Sequence, residues 1–426
     1  MATLKEVIAE RIPALREDIR NLVDEHGDMV ISSVTIKQAY GGMRGVKGLV
    51  CDTSLVTPEE GLIIRGIPIL ELTDRTPEEV FYLLCVGELP GEADVESIKE
   101  EFALRSKVPD YLIDVLKAMP GTSHPMAMLT TGISALENES VFRARYNEGM
   151  KKDEYWEAAL EDSLQLLAKL PSIAAAIYRI RFDKGEPIDY DPSLDWSTNY
   201  AHMLGNDDPE FADLIRLYMV LHTDHEGGNV SAFASHVVAS ALSDPYYAVA
   251  AGLSGLAGPL HGLANQECLR FLIGILERFD GKAPTPEELE EYTWEVLNRG
   301  RVVPGFGHAV LRATDPRYTA QYEFGMKHFP DDELFATMAT AFEVIPKVLM
   351  EHGKATNPWP NVDAASGTML YHYGLTEMVY YTVLFSVSRA MGILSQLITS
   401  RAMMEPITRP KSVTTNWLKE QAGVSG

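Results

Sequence analysis

The run MVYYTVLFSVSRAMGILSQLI, from Met378 to Ile398, is the longest apolar stretch of the chain and comes close to the length of a membrane span. Arg389 stands near its centre, with Ser386, Ser388 and Ser395 around it. A guanidinium at bilayer depth is costly, so the run reads as a helix buried inside a soluble protein. A buried arginine without a partner is costly there too. Arg389 therefore needs a carboxylate, from the protein or from a ligand.

Outward from this run, most of the chain shows helical periodicity. Thr76-Pro77-Glu78-Glu79 and Thr285-Pro286-Glu287-Glu288 place N-cap, proline and acids in the order a helix start requires. Asp153 to Leu170 carries an apolar stripe of the same period. Residues 29–69 differ: the β-branched stretches VISSVTI and GLIIRGIPI, cut by Gly41-Gly42 and by Thr57-Pro58-Glu59-Glu60-Gly61, predict short hairpins. There is no internal repeat, low-complexity tract or shift of composition at a boundary. The fold class is mainly α, with a small β element near the N-terminus.

The chain has 426 residues, and 37 Lys and Arg against 61 Asp and Glu leave a net charge of −24. That balance repels nucleic acid and anionic membrane, so an anionic ligand would need arginines gathered locally. Cys51, Cys85 and Cys268 are too few and too scattered for a disulfide framework or a structural zinc site, and read as reduced thiols of an intracellular protein. The first 27 residues are amphipathic but rich in acids, unlike a transit or secretory leader, which points to the cytoplasm.

Four segments carry candidate chemistry. In Leu221-His222-Thr223-Asp224-His225-Glu226-Gly227-Gly228-Asn229, two histidines three apart share a face if the segment is helical. They are either a ligand pair or two imidazoles satisfied by backbone carbonyls. A zincin needs H-E-x-x-H, and the second ligand is missing here. His261, between Gly258-Pro259 and Gly262, lies in a turn that desolvation would keep neutral, or in a tight helix contact. Val303-Pro304-Gly305-Phe306-Gly307-His308 is followed by Arg312 and Arg317, two guanidiniums able to fork onto carboxylate or phosphate. Asn357-Pro358-Trp359-Pro360-Asn361-Val362-Asp363 stiffly presents an aspartate, as a general base of raised pKa or as a helix N-cap. Arg409, beside Pro410 near the C-terminus, reads by default as a solvated charge. Together these residues suit metal-free acid–base chemistry on a small multi-anionic substrate.

LHTDHEGGN, GLAGPLHGLANQE, VVPGFGHAVLRATDPRY, NPWPNVDAASG, FSVSRAMG and RPKS, from about Tyr40 to Lys411, resemble the citrate synthase family in sequence and in order, and its mitochondrial-type branch in the NPWPNVD form. The resemblance implies a two-domain multihelical homodimer, with 1–263 and 374–426 as a large domain and 264–373 as an inserted small one. It implies that His261 hydrogen-bonds the thioester carbonyl of acetyl-CoA, that Asp363 takes the methyl proton, and that His308 polarises the oxaloacetate keto oxygen. His225, Arg317, Arg389 and, from the other subunit, Arg409 would hold carboxylates. Arg44, Gly305, Gly307, Arg312, Lys354 and Asn361 match positions near CoA, which enters as cosubstrate with no permanently bound cofactor and no metal. Thr356 stands where animal enzymes commonly carry a second lysine, Ala365 where a histidine is frequent, and Phe306 where a tyrosine is usual. The implied reaction is condensation of acetyl-CoA with oxaloacetate through an enol and citryl-CoA. A 2-methylcitrate synthase using propionyl-CoA shares these motifs, since one methylene is worth only about 1–3 kcal/mol. A metal hydrolase built on His222, His225 and His261 and a non-enzymatic scaffold are the other classes.

Overall fold

A computed structural model of the chain describes residues 2–307, 310–355 and 357–424. Among these are nineteen α-helices and one antiparallel sheet of three short strands, Ser54–Thr57, Gly61–Ile64 and Ile67–Pro68. The apolar run is the helix Tyr381–Ala402, buried along nearly its whole length. It packs against the helices Tyr155–Arg181, Val230–Ser240, Pro77–Val86 and Pro245–Leu256, so neighbouring helices take the place a lipid would have.

The two Thr-Pro-Glu-Glu starts open the helices Pro77–Val86 and Pro286–Asn298, each with a complete capping box. The stripe that begins near Asp153 runs further than Leu170. The helix continues through Pro171 to Arg181. Proline has no N–H for the carbonyl of Leu167, and the indole Nε1 of Trp196 supplies that bond instead at 2.9 Å.

Hairpin pairing occurs at the second half of residues 29–69 only. Gly61 lies opposite Thr57, across the predicted Pro-Glu-Glu turn. VISSVTI forms no strand: Val30 is 81% exposed, and the segment leads into a short helix at Ile36–Tyr40. Its β-branched residues meet neither a partner strand nor an apolar face, and propensity alone does not hold a strand.

Five helices, Ala264–Arg278, Pro286–Asn298, Pro316–His328, Glu333–His352 and Asp363–His372, pack upon one another. They meet the rest of the chain chiefly where Pro316–His328 touches the 3-10 turn Ile69–Leu72 and the strand Gly61–Ile64, and where Pro209–Leu221 touches Pro316–His328 and Asp363–His372. The candidate residues collect on both sides of that junction.

Candidate active site

The helix Pro209–Leu221 stops one residue before His222, so His222 and His225 share a loop and not a helical face. Gly227-Gly228 and the left-handed backbone of Glu226 (φ 62°) keep the segment open until Asn229 caps the next helix. The Asn229 amide also donates to the carbonyls of His225 (2.8 Å) and Glu226 (2.9 Å), closing the loop on itself. His222 is fully buried. Its Nδ1 lies 2.9 Å from the Tyr218 carbonyl and its ring stacks on Tyr218, so it is the backbone-satisfied imidazole of the two readings. Burial, with Arg317 nearby, pushes its pKa down to about 3. His225 is half-buried on the same loop.

Arg389 reaches this loop from the central helix. Its Nε donates to the His222 carbonyl at 3.2 Å, and one Nη lies 3.4 Å from both Asn229 Oδ1 and Ser231 Oγ. Its guanidinium also sits over the Phe385 ring, 4.7 Å from the centroid. These partners are all neutral. Among the described residues no carboxylate pairs with Arg389, and burial lowers its pKa to about 10. The Ser231 hydroxyl also lies 3.1 Å from His261 Nε2, and the Ser231 N–H donates to that same nitrogen at 3.4 Å. Burial, with Arg389 adding repulsion, pushes His261 down to about 4. An imidazole that is neutral and accepts at Nε2 carries its proton on Nδ1.

Across the junction, Asp315 caps the helix Pro316–His328 and grips Arg317 two-pronged, at 3.0 and 2.7 Å. Two further segments zip together beside it. Gly307 N–H donates to the Trp359 carbonyl (2.9 Å), Asn361 N–H to the Gly305 carbonyl (3.0 Å), and Asn361 Nδ2 to the Gly307 carbonyl (2.9 Å). Gly305 is required there: at φ 83°, a Cβ would lie 2.6 Å from Cys268 Sγ and 3.2 Å from Ala364. The clamp ends in Asp363, the first residue of the helix Asp363–His372, whose N–H donates to Asn361 Oδ1. Asp363 is not the N-cap of that helix, which is Val362. Desolvation raises its carboxyl to about 6, even though Arg317 and Arg389 pull the other way. His222, Asp363, Arg317 and Arg389 thus share one electrostatic neighbourhood, and Arg389 joins it to His261.

Other residues singled out from the sequence stand elsewhere. Arg44, Lys354 and Arg409 are exposed, and the Arg312 guanidinium folds back on the carbonyls of Val310 and Leu311. Asn361 spends its amide on the clamp. His308 and Thr356 lie outside the described residues. Sequence reasoning missed Ser231 and Asp315, which orient His261 and Arg317, although Asp315-Pro316 is a helix-start signal that could have flagged the second. No group of three His, Cys, Asp or Glu side chains gathers as a metal site among the described residues.

Residues 42–411 match the family model for the citrate synthase C-terminal domain. The chain belongs to the citrate synthase family. It is 52% identical to the mitochondrial citrate synthase of Saccharomyces cerevisiae, over 98% of this chain and 89% of that one. It is 49% identical to the mitochondrial citrate synthase of Daucus carota, over 98% and 90%. The crystal structure of citrate synthase from Pyrobaculum aerophilum superposes with a TM-score of 0.77 at 29% identity, covering 88% of this chain and 92% of that one. The chain therefore carries out the family's reaction, condensing acetyl-CoA with oxaloacetate to citrate as a transferase of the tricarboxylic acid cycle. The cytoplasmic expectation is corrected: both relatives are mitochondrial by name, and an acidic first helix is no guide to compartment.

Proposed function

We propose that His261, Asp363 and His308 perform this condensation, with His225, Arg317, Arg389 and Arg409 of the partner subunit holding the carboxylates of oxaloacetate. A methyl proton α to a thioester is far less acidic than a carboxylic acid. Asp363 removes it only as the developing enolate oxygen takes a hydrogen bond, which His261 Nδ1–H donates. The enol carbon then bonds to the keto carbon of oxaloacetate, and His308 protonates the keto oxygen. Water releases CoA from citryl-CoA and leaves citrate. The observation that carries this reading is that a neutral, Ser231-oriented His261 and an Asp363 raised to about 6 both lie in the field of a buried Arg389 with which no carboxylate pairs among the described residues. No resident cofactor or metal enters these steps.

In this reading 264–373 is the smaller domain, inserted between 1–263 and 374–426, and closes over the substrates; the mutual packing of its five helices supports it. Arg44, Arg312, Lys354, Asn361, Gly305 and Gly307 line the path of CoA. The active species is a homodimer. In support, the N- and C-terminal segments leave Val30, Val50, Ile407 and Trp417 well exposed. Tyr40 and Thr415 join the two segments at 2.7 Å. Thr408, bonded to Ser240 and His236, holds Arg409 beside the C-terminal half of the helix Val230–Ser240. The proposed compartment is mitochondrial, as for the named relatives.

The test is thiol release from acetyl-CoA with and without oxaloacetate, for the native chain and for Asp363→Asn. The variant is expected to lose about 10²–10⁴ in kcat while binding oxaloacetate normally. Undiminished turnover would remove Asp363 from the mechanism.

A further inference from the structure

Asp224, between the two histidines of the 222–229 loop, is fully buried, and no step above uses it. One oxygen accepts the hydroxyls of Thr53 (2.5 Å) and Ser54 (2.9 Å), at the entry to the first strand. The other accepts Gln396 Nε2 at 2.8 Å, from the central helix two turns beyond Arg389. The grip is reinforced on either side. Ser54 Oγ accepts the Glu226 N–H at 2.7 Å, and Glu226 Oε1 accepts the Val56 N–H at 2.9 Å. Gly392 lets the loop touch the helix: a Cβ there would lie 2.4 Å from the Thr223 carbonyl and 2.6 Å from Asp224 Oδ1. Asp224 and Arg389 attract each other across this contact without forming an ion pair.

An aspartate is an expensive way to hold a loop. Burying a carboxylate is costly, and an asparagine would still satisfy part of these hydrogen bonds. The charge has a use here because the direct partners of Arg389 among the described residues are all neutral. A fixed anion near Arg389 favours its protonated guanidinium without occupying it as an ion-pair partner would. The same carboxylate locks the residue before His225.

We propose that Asp224 is a positioning residue for oxaloacetate: gripped by Thr53, Ser54 and Gln396, it fixes the loop carrying His225 and supplies the distant counter-charge of Arg389. The inference rests on the assignment of His225 and Arg389 to oxaloacetate, and it ties the N-terminal hairpin to substrate binding. It is tested with Asp224→Asn, which keeps the shape and one acceptor oxygen but removes the charge, and with Thr53→Val and Thr53→Ser, which remove and restore a single donor. KM is measured separately for oxaloacetate and acetyl-CoA, with thermal melts in parallel and Arg389→Met as the reference.

The expected result is an oxaloacetate KM raised about tenfold in Asp224→Asn, with the acetyl-CoA KM within about twofold. Thr53→Val should shift the same parameter less, and Thr53→Ser should restore it. An unchanged oxaloacetate KM in Asp224→Asn, or both KM values and the melting temperature moving together, would overturn the proposal and leave Asp224 a purely structural carboxylate. If Asp224→Asn does not fold, the Thr53 pair decides by the same criterion. An unchanged oxaloacetate KM in Arg389→Met would overturn the assignment of Arg389, and this inference with it. A raised KM in Arg389→Met alone would overturn only the role of Asp224.

Discussion

The two buried arginines on either side of the junction solve the same problem in opposite ways. Arg317 is held by both oxygens of its own helix cap, so its charge is cancelled before any ligand arrives. Arg389 leans on a backbone carbonyl, an amide oxygen, a hydroxyl and a ring face, and keeps its charge. The second arrangement leaves the larger electrostatic demand for a ligand carboxylate to meet, while the first sets the orientation of its guanidinium in advance. Arg401, further along the same helix, warns against reading that demand from an unpaired arginine alone. It too is buried, over the Phe142 ring and donating to the Ala239 carbonyl, yet among the described residues it has neither an ion pair nor another candidate residue against it. What separates Arg389 from Arg401 is the shared Ser231 and His261.

The largest effect that could break this contrast is expected from Asp315→Asn. It leaves the Arg317 cation buried and uncompensated, and should cost about 3–5 kcal/mol in urea unfolding. A loss under about 1 kcal/mol would mean that Arg317 was not neutralised by its cap. Arg389→Met should differ: stability changed by no more than about 1 kcal/mol, because no direct ion pair is broken, and oxaloacetate KM raised about 100-fold. Destabilisation of the size seen in Asp315→Asn would erase the distinction between the two arginines.

A pH profile sharpens the comparison at Asp363, which faces both. The base works only when ionised, so kcat/KM for acetyl-CoA should fall as pH drops through about 6. His261 at about 4 and His222 at about 3 stay neutral across that range and add no limb of their own. The same raised pKa favours the protonated fold. It contributes stability below the ordinary aspartate value that is lost as pH rises through about 6, so Asp363→Asn should melt higher than the native chain at neutral pH and lose that advantage in acid. The smallest effect belongs to His222→Gln. Its bond to the Tyr218 carbonyl can be made by an amide, so oxaloacetate KM should move less than about threefold, and less than in His225→Gln.

The helical architecture was legible because periodicity and capping are local. Thr76, Thr285 and the 378–398 run announce themselves within a few residues, and an arginine in an apolar helix declares its need for oxygen partners. The identity of those partners was not legible. Ser231 is separated from Arg389 by 158 positions, and a serine that turns an imidazole looks like any other serine. The 222–225 pair misled for a related reason. Three-residue spacing suits a helix, yet Gly227-Gly228 and the Asn229 cap draw the segment into a loop whose register is set by Thr53 and Ser54. VISSVTI failed from the opposite side, with strong propensity and nothing to pair with.

The length of chain between those partners also bears on how the protein is made. The grip on Asp224 spans 171 positions and the clamp between Gly307 and Asn361 spans 54, while the helices around them close over three or four. Contacts of such range cost the most loop entropy and form last. On refolding, far-ultraviolet ellipticity should return well before turnover, and an interrupted chain should be helical, compact and inactive. A nascent chain reaches its two gripping hydroxyls early, but holds them idle until the ribosome has delivered Asp224 and then the helix bearing Gln396.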